Sequence, residues 1–215
     1  MAIHKDLIAT RSLTQIACCV LLLLVALMNV HLRSTNAASG ADGDLDPTFG
    51  EGGIVVTDVS GTSNWIRDIK VQSDGKIVVA GSSDGSDGKA AFILARYNDD
   101  GSLDSSFGSG GKAVTNAGGL EFAKSLALQP DGKILVAGSA YDDGTDFGLA
   151  RYDSDGTLDL SFGSNGKVIK NFGGADTCSG IVVQPDGKIL LAGNGARGDR
   201  QASAFASPAI RAMAG

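Results

Sequence analysis

Three stretches of the chain are apolar on consecutive positions, IVVAG (77–81), ILVAG (134–138) and ILLAG (189–193). Each follows the same polar turn, SDGK or PDGK. A strand with one wet face alternates in polarity, so a strand that is apolar on both sides has to be covered on both. The segments around these stretches do alternate. Upstream, Ile69 and Val71, Leu126 and Leu128, and Ile181 and Val183 share a face, while downstream Phe92, Leu94 and Arg96 stand against Ile93, Ala95 and Tyr97. A further apolar segment, GIVVTDV (53–59), returns as KAVTNA and KVIKNF. The pattern predicts four short strands per unit, joined by Asp-Gly and glycine-rich turns.

The unit is a repeat. Gln72, Gln129 and Gln184 head VQSDGKIVVAG, LQPDGKILVAG and VQPDGKILLAG, and Leu45, Leu103 and Leu158 head LDPTFGEGGI, LDSSFGSGGK and LDLSFGSNGK. LARYNDDGS and LARYDSDGT complete it. Four-stranded sheets stacked radially cover a central strand on both faces, and a unit of about 50 residues suits a propeller blade. A β-solenoid competes, but four hairpin-linked segments with Asp-Gly turns fit a meander better. On this reading LDSSFGSGGK recurs as the crossing from one blade to the next, with its Leu and Phe anchored in the core.

SLDSSFGSGGK, QPDGKILVAG and FGLARYDSDGTLD, in fixed order across residues 42–193, resemble the delta-60 repeat family, a bacterial β-propeller repeat often seen in exported proteins. The resemblance implies fold and export rather than an activity. The expected architecture is all-β, a partial β-propeller of about three four-stranded antiparallel blades, preceded by an N-terminal signal helix. Its divisions are a signal peptide (1–37), a linker (38–43), blades over 44–102 and 103–157, a partial blade over 158–193, and an alanine-rich tail (194–215). Closed propellers use four to eight blades. In the third unit ASAFAS stands where FGLARY would, and Pro208 follows, so its last strand is expected to be lost. Three stacked blades expose apolar faces and strand edges, which predicts self-association or pairing with another propeller segment, as in a fragment of a longer propeller.

The leader sets Lys5 and Arg11 ahead of IACCVLLLLVALM, with small residues near Ala37. The apolar run is shorter than the roughly 20 residues of a membrane span, so export is expected, to the periplasm, the medium or the cell surface, with membrane attachment only if the leader is retained. A net charge of −6 opposes nucleic-acid binding. Both histidines, His4 and His31, and two of the three cysteines lie in the leader, leaving Cys178 alone in the remainder. That excludes Ser-His-Asp and Cys-His catalysis, histidine zinc sites and an internal disulfide.

Candidate chemistry therefore rests on carboxylates. NDDGSLD and DSDGTLD place Asn98, Asp100 and Asp104, and Asp153, Asp155 and Asp159, at spacings that partly match calcium loops, where a hard cation collects six to eight oxygens. Arg96 and Arg151 occupy the leading ligand position, and no glutamate supplies the bidentate twelfth. The competing reading makes these connecting turns, with Asp capping amides, Gly left-handed, and Arg96–Asp104 and Arg151–Asp159 pairing. FGSGGKA (107–113) lacks the hydroxyl residue and following helix of a phosphate loop. Trp65 is expected to pack in the core or between blades. The functional expectation is a non-catalytic exported module for protein or carbohydrate interaction, with calcium as its sole candidate cofactor. A glycoside-acting enzyme with paired carboxylates and a calcium-stabilised adhesion-type module are the alternatives.

Overall fold

The computed structural model describes residues 42–60, 63–84, 90–115, 120–141, 145–197 and 200–206. The expected signal helix lies outside them. The sheets belong to the compact unit Leu45–Gly215, and its described residues contain strands and turns but no helix. The first sheet runs β1 (Asn64–Val71), β2 (Ile77–Asp84), β3 (Ala90–Tyr97), β4 (Lys112–Thr115), in that spatial order. The second repeats it with β5 (Leu120–Leu128), β6 (Ile134–Tyr141), β7 (Thr145–Tyr152) and β8 (Lys167–Lys170). The third has β9 (Thr177–Val183), β10 (Ile189–Arg197) and β11 (Arg200–Ala206), in order β9-β10-β11. All pairings are antiparallel.

The unbroken apolar strands are covered twice. Ile134 and Val136 of β6 pack into one core with Val78, Phe92 and Leu94 of the first sheet, while Leu135 and Ala137 enter a second core with Ile189, Leu191 and Cys178 of the third. Each buried Leu, Ile or Phe contributes about 1.5–3 kcal/mol, so these two layers dominate the stability of the stack. The turn before each such strand is closed by its glycine. Gly75, Gly132 and Gly187 hold φ between +81° and +85°, and their N–H groups donate to Gln72, Gln129 and Gln184 O at 2.9–3.0 Å.

Three expectations need correcting. The sheets are phased one strand later than the repeat was divided: KAVT pairs with β3, Phe92 opposite Thr115, and closes the first sheet instead of opening the second. LDSSFGSGGK accordingly joins the third and fourth strands of one sheet and is not the crossing between sheets. The 53–59 segment forms no strand beyond an isolated Glu51–Ile54 bridge, because no sheet edge lies beside it among the described residues. The third unit does keep the strand expected to be lost, since β11 pairs with β10, Ala206 opposite Ala192. Backbone pairing needs only an extended segment, not the family's side chains.

Candidate functional site

The recurring phrases meet where one sheet joins the next. In the first sheet, Arg96 stands one residue before the end of β3, and its Nε donates to Asp104 Oδ2 in the connector that follows at 2.7 Å. The second sheet repeats the bond between Arg151 and Asp159, also at 2.7 Å. Lys76 and Lys133, the lysines of the SDGK and PDGK turns, reach the same carboxylates at 2.7 and 3.1 Å. The other carboxylate oxygens accept from Ser106 and Ser161, N–H and hydroxyl alike. Beneath each guanidinium lies a buried ring, Phe107 at 4.6 Å from Arg96 and Phe162 at 4.4 Å from Arg151. Such stacking suits the weakly hydrated guanidinium better than it would an ammonium.

These contacts set the charge states. Lys76 and Ser106 hold the Asp104 carboxyl well below the usual carboxylate range. At Asp159 burial pushes upward, but Ser161, Lys133 and Arg151 outweigh it and the carboxyl ends well below its ordinary value too. Both are fixed as anions.

The connector then grips the next sheet. Gly108 N–H donates to Asp155 O at 2.6 Å, Arg96 Nη1 donates to Ser154 O at 2.6 Å, and Phe107 lies against Gly156 so closely that any β-carbon there would strike the ring. Gly108 takes φ +53° to make the approach. Farther along the two sheets, Tyr152 hydroxyl donates to Thr115 Oγ1 at 2.7 Å, and Leu126 N–H to Asp68 Oδ2 at 2.8 Å.

Of the six residues singled out as calcium ligands, Asp104 and Asp159 are thus engaged by lysine and arginine. Asp100 and Asp155 cap the turns by accepting from Ser102 and Thr157, Asn98 donates to Ser102 Oγ, and Asp153 pairs with Lys133. Among the described residues, no three acidic, histidine or cysteine side chains come together as a metal site. Sequence reasoning found the Arg–Asp pairs but missed their third member; a lysine at the same place in every turn was the available signal. Trp65, expected to be packed, is 40% exposed, as is the equivalent Phe122 at 36%, whose ring meets Tyr141 edge-on at 6.2 Å. Cys178 is buried and unpaired, and burial pushes its thiol up to about 11.

An open hollow of about 400 Å³ lies elsewhere, lined by Gly50, Glu51, Ile54, Val55, Val56 and Gly101.

A family model described as a domain of unknown function (DUF5122) beta-propeller matches residues 72–107 and 129–162. A second, described as WD domain, G-beta repeat, matches residues 53–86. A search of curated proteins found no match. Over these residues the chain is similar to β-propeller repeats, a likeness consistent with the stacked antiparallel sheets.

Proposed function

We propose that the chain is an exported, non-catalytic β-propeller module of the delta-60 type whose task is interaction with protein, other propeller segments included. The observation that carries this reading is the state of the repeated carboxylates. Asp104 and Asp159 are committed to buried arginines and to lysines, which suits holding sheets together and leaves neither as a proton donor at neutral pH. Among the described residues, the carboxyls whose surroundings move them clearly, Asp46, Asp68 and Asp186 included, are all moved down, opposite to the direction a general acid needs. Repeats of the WD type, matched over 53–86, generally mediate protein interaction. The reading uses no calcium.

Fractionation should recover the chain outside the cytoplasm, shortened by its leader, and the purified protein should turn over no aryl glycoside above buffer. Hydrolysis that is abolished by a single Asp→Asn substitution would overturn the reading in favour of a carboxylate enzyme.

A carbohydrate ligand is favoured by one further observation. Trp65 and Phe122 occupy the same position on adjacent sheets, and both rings are exposed, an arrangement suited to stacking sugar rings. Affinity electrophoresis through polysaccharide gels tests it: W65A and F122A should lose retardation, and identical mobility of all variants in every gel removes the idea.

A further inference from the structure

Residues 45–57 repeat 103–115 position by position, with Leu45, Asp46, Phe49, Gly50 and Gly53 standing for Leu103, Asp104, Phe107, Gly108 and Gly111. The local bonds are the same. Phe49 N–H donates to Asp46 O at 3.1 Å and Gly53 N–H to Phe49 O at 2.8 Å, as Phe107 does to Asp104 at 3.0 Å and Gly111 to Phe107 at 2.8 Å. The docking is the same as well: Gly50 N–H donates to Asp100 O at 2.8 Å, where Gly108 donates to Asp155 O. A junction is therefore assembled against the first sheet, but the described residues contain no sheet for its outer strand to join. Val56 is 92% exposed there, whereas its equivalent Val114, paired in β4, is 41% exposed.

The neighbouring face tells the same story. Ile69 and Val71 on β1 are 57% and 65% exposed, while Leu126, the counterpart of Ile69 on β5, is 1% exposed under the first sheet. At the far side of the stack, β11 pairs only with β10 among the described strands, so this sheet has three strands where the others have four. On its outward face Val182 is 54% exposed where Ala127 is 8%.

We infer that residues 54–57 of one copy add to the β11 edge of a second copy, so that the second copy's β9-β10-β11 sheet sits on the first copy's β1 face as the first sheet sits on the second. Strand addition to a free edge satisfies backbone groups that otherwise face water, and stacking covers the apolar side chains. The repeat fixes the register. Gly148 lies opposite Ile169 and Leu149 opposite Val168, which places Phe205 opposite Val56 and Ala206 opposite Val55. The charges agree. Asp46 stands for Asp104 and Asp159, and Lys188 for Lys76 and Lys133, so Lys188 of one copy meets Asp46 of the other. In the single chain Lys188 instead pairs with Asp186 of its own turn, and Asp46 is exposed. The hollow along 50–56 is the seat the second copy fills. A second copy is the favoured occupant because donor strand, acceptor edge, register and ion pair all come from this one sequence.

This inference rests on the interaction-module reading and makes it specific. Multi-angle light scattering of the chain purified from the exported fraction should give a multiple of the monomer mass at micromolar concentration. D46K and K188E, both on exposed turns, should each weaken association about tenfold or more by juxtaposing like charges, and the double variant should restore it. V56C combined with F205C should yield disulfide-linked oligomers on non-reducing gels. A monomer at every concentration overturns the inference, as does association that ignores both charge reversals and gives no cross-link. Such a monomer, recovered outside the cytoplasm and turning over no aryl glycoside, would leave the non-catalytic module reading standing while the pairing falls.

Discussion

Arg96 and Arg151 are only 7% and 4% exposed, yet each carries a full charge, balanced by one aspartate and roofed by one ring. Removing the carboxylate strands a buried cation, a change that typically costs about 3–5 kcal/mol. D159N should lower the urea midpoint accordingly, with D155N, on an exposed turn, giving a much smaller shift. The pH dependence follows from the direction of the shifts. Asp104 and Asp159 titrate well below their unfolded value of 3.8, so their contribution is complete above about pH 4 and is lost as the pH falls further. Melting temperatures should stay level from pH 8 to 5 and drop in acid. Cys178 acts on the other side: burial raises its thiol from 9.0 to about 11, favouring the neutral form in the fold, so the unfolded chain releases the proton first and stability declines above pH 9. C178A should flatten that decline, and native protein should resist thiol reagents until unfolded. The sequence placed Asp104 across from Arg96 by spacing alone, but the phenyl ring beneath the guanidinium depends on a connector path that spacing does not reveal.

Strands show a similar division. That 134–138 is covered twice could be read from its composition, because water on either side would leave Leu135 or Val136 exposed, and both are fully buried. The phase of the strands could not. A repeating pattern can be cut anywhere, and only the pairing of Phe92 with Thr115 shows where a sheet ends. Nor does sequence explain the glycine that closes each apolar strand. In every sheet the first strand shifts register by a bulge, which drives a carbonyl against the second: Trp65 O against Gly81, Phe122 O against Gly138, Thr177 O against Gly193. A methyl group on any of these glycines would lie far inside contact distance of that oxygen. G138A should therefore destabilise by about 1–3 kcal/mol through overpacking. Gly180 makes the control, with open space at its β-carbon and no positive φ; G180A should be neutral or gain about 0.5 kcal/mol in denaturant titrations.

Among the described residues, cohesion comes from cores between sheets and from the Arg–Asp–Lys clusters, whose charges are balanced by side chains. Chelator should leave the melting temperature unchanged, and calcium should produce no heat in a titration calorimeter. Association between copies should weaken moderately with salt, since the Asp46–Lys188 pair lies near the surface while the apolar stacking beside it is insensitive to ionic strength. The number of repeats raises the expectation of self-association, which the pairing proposed above makes specific. The donor segment and acceptor edge of the proposed pairing follow from the place of KAVT at the end of a sheet, which assigns 54–57 the same job. An outer strand offered at one side of the stack and wanted at the opposite side would also give the proposed assembly a sense of direction. Copies related in this way all face alike, with no twofold axis to turn one over, so Trp65 and Phe122 of every copy emerge on a common rim. Contacts too feeble to hold a partner singly would there act in parallel, and binding strength would rise with the number of copies rather than with any one pocket.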